Sequence, residues 1–411
     1  MTLHYGSLYW PTTWPNPPRY PRLSGSGSFD VLIVGGGVSG ALCGLTLSRS
    51  GIEAALIERN AVASGSSSSN TGLLQYSNDI MLCKLAEQIG ERDAVVFYKA
   101  CKASVEHLAQ VAQSLPREVG FKRRSSFYFA SSKDDVPELR REFEMLDKHG
   151  FGAEWWDEAD IAAAFPFRKA AAIVTHGDAE MNPFRFVTSV IEEAVRHGLK
   201  VYEHTPMLAL EGENGRFVVR TGEGDIRAKR VVLAVGYAPE TAGSDWVLGK
   251  AVMNRSYAIV TKPAASLADW HQRFMLWETA RPYLYIRTTD DGRIVAGGLD
   301  EPLRRPVLSE ADLRQRSLRL LAEIGRLFPD LRPELEYEWC ATFTESADHL
   351  PILGEDPARP GVHYIFVYGG NGSVYSNIAA QLIRDSLIGE PNPIAPIVRA
   401  HRTSRQAAVR H

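Results

Sequence analysis

Three glycines and one acid carry the first legible chemistry. Gly35, Gly37 and Gly40 stand as G-x-G-x-x-G, and Glu58 follows eighteen residues after the last of them. Such glycines permit a tight strand-to-helix turn, close approach of backbone to a pyrophosphate, and close helix–strand packing. A helix N-terminus stabilises phosphate charge, and a carboxylate at this distance accepts from ribose hydroxyls. The unit therefore points to a dinucleotide.

That chemistry requires a strand, a helix and a second strand in succession. Val31–Val34 is a short apolar run suited to a buried parallel strand. Ala41, Leu42 and Leu45 recur at helical spacing up to Arg49, and Gly51 falls where a helix stops. Ala54–Ile57 is the next strand, closed by Glu58.

The bulk numbers narrow the class. The chain has 411 residues, 45% hydrophobic and 23% charged, an ordinary globular composition with material for two domains. A formal net charge of −3 offers no basic footprint for nucleic acid. The four cysteines (Cys43, Cys83, Cys101 and Cys340) have no CxxC spacing and read as reduced core thiols. No basic segment followed by an apolar run opens the chain, and no stretch is apolar enough to span a bilayer. A cytoplasmic protein without signal peptide or transmembrane segment is expected.

Residues 1–28 combine tyrosines and tryptophans with prolines and a Ser/Gly run, which predicts an extended arm docked on the body or on a second subunit. Small hydroxyl residues crowd Ser64–Thr71 and could cradle an anion. Helices are expected over 80–115, Val136–Lys148 and Glu158–Phe165, and a strand at Phe127–Ala130. A second α/β stretch begins near Asp178, with Asn182 as helix cap and Pro183 at the first helical position. It continues through strands ending in Ala234-Val235-Gly236-Tyr237, and Gly236 is placed for close backbone approach to a ligand.

From Lys250 the pattern becomes antiparallel, with an Asp290-Asp291-Gly292 turn between alternating runs. Alternation puts Tyr283, Tyr285 and Arg287 on one sheet face. Arg304–Phe328 reads as an amphipathic, domain-crossing helix. A second strand–glycine loop–helix follows, Tyr364–Val367 leading to Gly369, Gly370 and Gly372, with no ribose-binding acid after it. Such a helix start suits the charge that a reduced flavin carries around N1 and the C2 oxygen. The basic tail after Pro396 reads as a frayed end.

The order and spacing of the opening unit, GSSSSNTGLLQ, AVGY, YIRTTDDGRIVAGG, DHLPILG and YGGNG resemble the FAD-dependent family of D-amino-acid, glycine and sarcosine oxidases, over roughly residues 29–390. The resemblance implies an α/β fold: a Rossmann-like FAD-binding domain with a central parallel sheet, and an α+β substrate domain with a mainly antiparallel sheet. The expected FAD domain comprises 29–80, 166–248 and 338–390, the substrate domain 81–165 and 249–337, with 391–411 as tail. FAD contacts are expected from Gly35, Gly37, Val38, Ser39, Gly40, Glu58 and Arg59, from Ser66, Ser67, Asn70, Thr71, Gly72 and Leu73, and from Gly236. Gly370, Asn371, Gly372 and Ser373 are expected at the flavin ring. No cysteine stands in the C-terminal motif, so the flavin is expected to be non-covalent.

The family position of a carboxylate-binding Arg is Phe343 here, and no Arg follows the Ser-rich loop. Arg287 or Arg281 is then expected to hold an α-carboxylate, with Tyr285 and His349 as hydrogen-bonding groups near the ring. The expected reaction moves a hydride from an amine-bearing carbon of a small amino acid or amine to flavin N5, with oxygen or a quinone as acceptor. The alternatives are oxidation of a 2-hydroxy acid or polyol phosphate, an NAD-dependent dehydrogenase, and a non-catalytic flavoprotein.

Overall fold

The computed structural model describes residues 3–236, 251–303, 309–366 and 368–402. Two sheets organise them. The first has parallel strands at its centre, in the order Ile352–Glu355, Val362–Phe366, Asp225–Leu233, Gly27–Val34, Ala54–Ile57 and Lys200–Tyr202. Val31–Val34 runs in register with Ala54–Ile57 on one side and Arg230–Leu233 on the other. All four strand residues Ala54–Ile57 are buried, as a strand covered on both faces requires. An antiparallel ribbon, Met207–Glu213 and Arg216–Thr221, is added to Asp225–Leu233.

Helix Val38–Arg49 starts at Gly37 and packs against both Pro183–Arg196 and Gly372–Ile388. Pro183–Arg196 is capped as its sequence predicts, the Asn182 side chain accepting from Arg185 N–H at 3.0 Å. Residues 82–114 form two helices rather than one: Leu82–Ile89 and Glu91–Ser114 part at Gly90, whose φ of 95° suits glycine.

The second sheet has ten strands and is mainly antiparallel. Its order is His4–Gly6, Leu335–Ser346, Ala251–Thr261, Ile294–Pro302, Tyr285–Thr288, Met275–Glu278, Lys122–Phe129, Ala171–Glu180 and Leu73–Leu74, and Glu154–Asp157 also pairs with Ala171–Glu180. The hydrogen bonding moves three segments out of the domains expected for them. Leu73–Leu74, Ala171–Glu180 and most of Leu335–Ser346 belong to this sheet. Each lies near a chain crossing, where local pattern identifies a strand but not its partner.

Two further expectations are corrected. Helix Glu310–Leu327 does not cross between domains; it packs on the second sheet through Leu313, Leu320, Ile324 and Leu327, while Leu318 is exposed. The tail is not frayed up to Arg402: Ile394, Ile397 and Val398 are buried, and Arg402 pairs with Asp348 at 2.7 Å. The rest of the tail, Tyr237 with the boundary at 248, the residues 304–308 and Val367 lie outside the described residues.

The N-terminal arm docks on the body. His4–Gly6 adds an edge strand against Trp339–Ala341, and Tyr9, Trp10 and Leu23 are buried. All four cysteines are buried and free. Among the described residues no helix is long and apolar enough to cross a membrane.

Candidate functional site: two joined cavities

The first strand ends at Gly35, whose φ is 113° and where a Cβ would lie 2.3 Å from the Ala234 carbonyl oxygen. The helix then passes so close that a Cβ on Gly40 would sit 1.9 Å from the Gly35 carbonyl oxygen. These two glycines set the turn and the packing. Gly37 faces open space apart from Ser67 Oγ, 3.1 Å from its built Cβ. Ser67 Oγ accepts from Val38 N–H at 2.9 Å, which ties the Ser-rich loop to the helix start.

In front of this turn lies a cavity of about 360 Å³. Gly35, Gly37, Val38, Ser39, Glu58, Arg59, Ser66, Ser67, Asn70, Gly236, Gly372 and Ser373 all line it. Glu58 stands at its wall, where its Oε2 accepts from Gly36 N–H at 2.7 Å and its Oε1 from Asn60 N–H at 2.8 Å. Ser39 Oγ shares hydrogen bonds with Tyr368 OH at 2.7 Å and Ser376 Oγ at 2.9 Å, so helices Val38–Arg49 and Gly372–Ile388 meet at the cavity wall.

A second cavity of about 150 Å³ shares Ser66 and Asn70 with the first. Thr71, Leu73, Gly370, Asn371 and Tyr285 line it. The Ser66 hydroxyl, at the shared wall, is buried without a hydrogen-bond partner. Such an orphaned group calls for a polar ligand there. A cavity pair that begins at a glycine turn with a ribose-side acid and ends at a glycine-rich helix start fits an extended dinucleotide carrying a flavin.

Five of the expected site residues line neither cavity: Gly40, Gly72, Arg281, Arg287 and His349. Gly40 acts through packing. Gly72, at φ 79°, would place a Cβ 2.2 Å from the Met181 carbonyl oxygen and 2.5 Å from Arg287 Nη2. Arg287 is therefore turned into the protein. It is 2% exposed and donates to the carbonyls of Thr71 at 2.7 Å, Met181 at 2.8 Å and Thr288 at 3.0 Å. It also lies 3.6 Å from Glu180 Oε2 and over the Trp10 ring. A guanidinium so engaged has no free fork for a substrate carboxylate, and the role expected for Arg287 is corrected to positioning the loop that carries Thr71. His349 is exposed in the turn between Leu335–Ser346 and Ile352–Glu355, away from both cavities.

The second cavity also gathers Asn78, Asp79, Ser256, Trp277 and Asp300, which sequence patterns did not single out. Asp79 accepts from Tyr283 OH at 2.9 Å and from Gly370 N–H at 2.8 Å. Asn371 Nδ2 donates to Gln75 O at 2.9 Å and Asn78 Oδ1 at 3.0 Å. Trp277, Ser256, Asp300 and Phe343 complete the wall. Burial pushes the Asp300 carboxyl up to about 6, with the neighbouring Ser256 hydroxyl opposing and the charge of Asp79 adding to the rise. Burial raises Glu345, behind the glycine loop, to about 7, with Asp79 and Asp300 contributing.

Comparison with known proteins follows the same lines. Residues 30–386 match the family described as FAD dependent oxidoreductase. A glycine oxidase of Geobacillus kaustophilus is 23% identical over 385 residues, covering 87% of this chain and 92% of the relative. A gamma-glutamylputrescine oxidoreductase of Escherichia coli is 23% identical over 402 residues, covering 95% and 90%. The crystal structure of the Geobacillus glycine oxidase superposes with a TM-score of 0.78 at 20% identity, covering 92% of this chain and 100% of that one.

Proposed function

The chain belongs to the FAD dependent oxidoreductase family, and on that premise we propose that it oxidises the C–N bond of a small amino acid or amine to an imine or carbonyl product. The observation that carries this reading is the small cavity joined to the cofactor cavity at Ser66 and Asn70. It gives a substrate-sized space beside the expected flavin end of the dinucleotide. The names of the two relatives, glycine oxidase and gamma-glutamylputrescine oxidoreductase, both denote nitrogen-bearing substrates.

Each residue has a physical task. The N–H groups at the start of helix Val38–Arg49 would meet the diphosphate, and Glu58 the ribose hydroxyls. Ser66, Ser67, Asn70 and Thr71 would supply hydroxyl and amide partners along the cofactor. Gly370–Gly372 would let backbone approach the ring beside Tyr285. FAD, when bound, supplies the two-electron chemistry by accepting a hydride. Tyr285, Trp277 and Phe343 shape the space in which the reacting C–H bond is oriented and water excluded. A strong protein base is not required when the amine is bound neutral.

Purified protein should be yellow with flavin absorbance. Anaerobic mixing with amines should bleach it, and 2-hydroxy acids or polyol phosphates should not. Bleaching by hydroxy substrates alone would overturn the C–N reading. A colourless protein binding NAD would overturn the cofactor assignment. Glu58→Ala should weaken FAD binding by about tenfold, the scale of one or two lost hydrogen bonds to a charged group, read from flavin fluorescence.

A further inference from the structure

We infer that the substrate is a diamine, with a cationic nitrogen away from its reacting carbon and no carboxylate beside that carbon, rather than an α-amino acid. The inference rests on the C–N reading above and names the substrate class for that cavity.

The cavity was built to present acid. Tyr285, which lines the cavity, pairs with Gly297, so Val295 and Gly297 share its face of the sheet. Strict alternation would put Leu299 on that face and turn Asp300 into the opposite core. A β-bulge prevents this. Between the pairs Tyr257–Gly298 and Arg255–Glu301, the single residue Ser256 stands opposite both Leu299 and Asp300. Leu299 takes φ 58°, an uncommon value for leucine, and packs in the core behind the sheet. Asp300 is thereby switched into the cavity beside Ser256. Bulges are a recurrent means of re-aiming a side chain next to an active site.

The remaining wall suits the same ligand. Asp79 and Asp300 are the charged residues lining the cavity, and no Arg, Lys or His is among the described residues that do. Asp79 has both oxygens held, by Tyr283 and Gly370, whereas Asp300 Oδ1 has no hydrogen-bond partner. Trp277, 5% exposed, leaves its Nε1–H donor unpartnered, which suits the lone pair of the neutral reacting nitrogen rather than the ammonium. Three aromatic rings surround this space. Tyr283 lies 5.7 Å from Tyr285 and 6.3 Å from Trp277 between centroids. Aromatic faces with carboxylates recognise ammonium groups. They repel a carboxylate, and Phe343 adds no compensating charge. Arg281 is exposed, donates to the Asp79 carbonyl at 2.9 Å and lies over the Tyr283 ring without lining the cavity.

The test uses FAD-loaded enzyme with 1,4-diaminobutane, glycine and D-alanine as probes. Binding is read anaerobically from flavin spectral shifts and by calorimetry, and reduction from flavin bleaching. The diamine should bind at least tenfold more tightly than either amino acid. Asp300→Asn should weaken diamine binding at least tenfold, and Asp300→Glu should restore part of it. Tighter binding of glycine or D-alanine, lost in Arg281→Ala, would overturn the inference while leaving the C–N reading intact. Bleaching only by 2-hydroxy acids would overturn both. An Asp300→Asn enzyme with normal folding and undiminished diamine binding would remove Asp300 from recognition.

Discussion

Asp300 illustrates how a functional group is held at a cost to the fold. Its carboxyl is raised to about 6 from an ordinary value of 3.8, chiefly by burial, with Ser256 opposing, Asp79 adding and Arg281 opposing. Between pH 4 and 6 the folded state keeps a proton that the unfolded chain has released. Stability therefore falls as pH rises through this window, by at most about 3 kcal/mol. Asp300→Asn should melt at a higher temperature than the parent at pH 7.5, with the gap closing towards pH 4, as thermal unfolding across that range will show. Arg287 is the opposite case. Its guanidinium holds three backbone carbonyls together, so Arg287→Ala should cost about 3 kcal/mol or more of stability and lower FAD retention. A stable, fully yellow variant with only a raised KM would return Arg287 to the substrate. Sequence alternation placed Arg287 on the correct sheet face, but not its reach into Thr71 and Met181. Asp300 was hidden for a related reason. Bulges leave no period-two trace, so counting alternate residues assigns the wrong face beyond one.

Among the elements, those stabilised by their own residues were legible. The glycine turn with helix Val38–Arg49, the Asn182-capped helix and the Asp290–Gly292 hairpin turn all rest on local spacing. What could not be read was partnership: Ala171–Glu180 and Leu335–Ser346 look like strands of any sheet until their hydrogen bonds are known. The N-terminal arm shows the same limit. Its aromatic content predicted docking, but not the dock. Trp10 Nε1 donates to the Asn70 carbonyl at 2.6 Å, Tyr9 OH to Asp291 at 3.3 Å, and Leu3 lines the larger cavity. The arm thus straps the Ser-rich loop from outside. Trp10→Ala should raise the FAD dissociation constant tenfold or more through loss of that backing, measured by fluorescence titration. An unchanged constant would make the arm a purely structural edge.

At the scale of the molecule, the cofactor site is a seam between chain regions far apart in sequence. Its walls come from residues 34–70, 181–187, 205–208, 234–236 and 368–373. Binding FAD should therefore stabilise the molecule broadly rather than one lobe, raising the melting temperature with added FAD by an amount set by mass action, about 2.7 kcal/mol at a hundredfold excess over the dissociation constant. Calorimetry that left one of two separate transitions unmoved would contradict this. The family fold was visible because its motifs recur in order along the chain; the substrate was not, because the acid and aromatic wall of the second cavity is assembled from loops and strands with no shared motif.

The placement of Tyr368–Ser373 has a consequence for the chain during synthesis. The glycine turn at Gly35 leaves the ribosome more than three hundred residues before the helix that closes the same cavity against Ser39. A nascent chain has the phosphate cradle long before it has a lid for the isoalloxazine end. Loading with FAD accordingly waits for residues 368–373, and a product ending before residue 368 should emerge colourless even where its first sheet has formed.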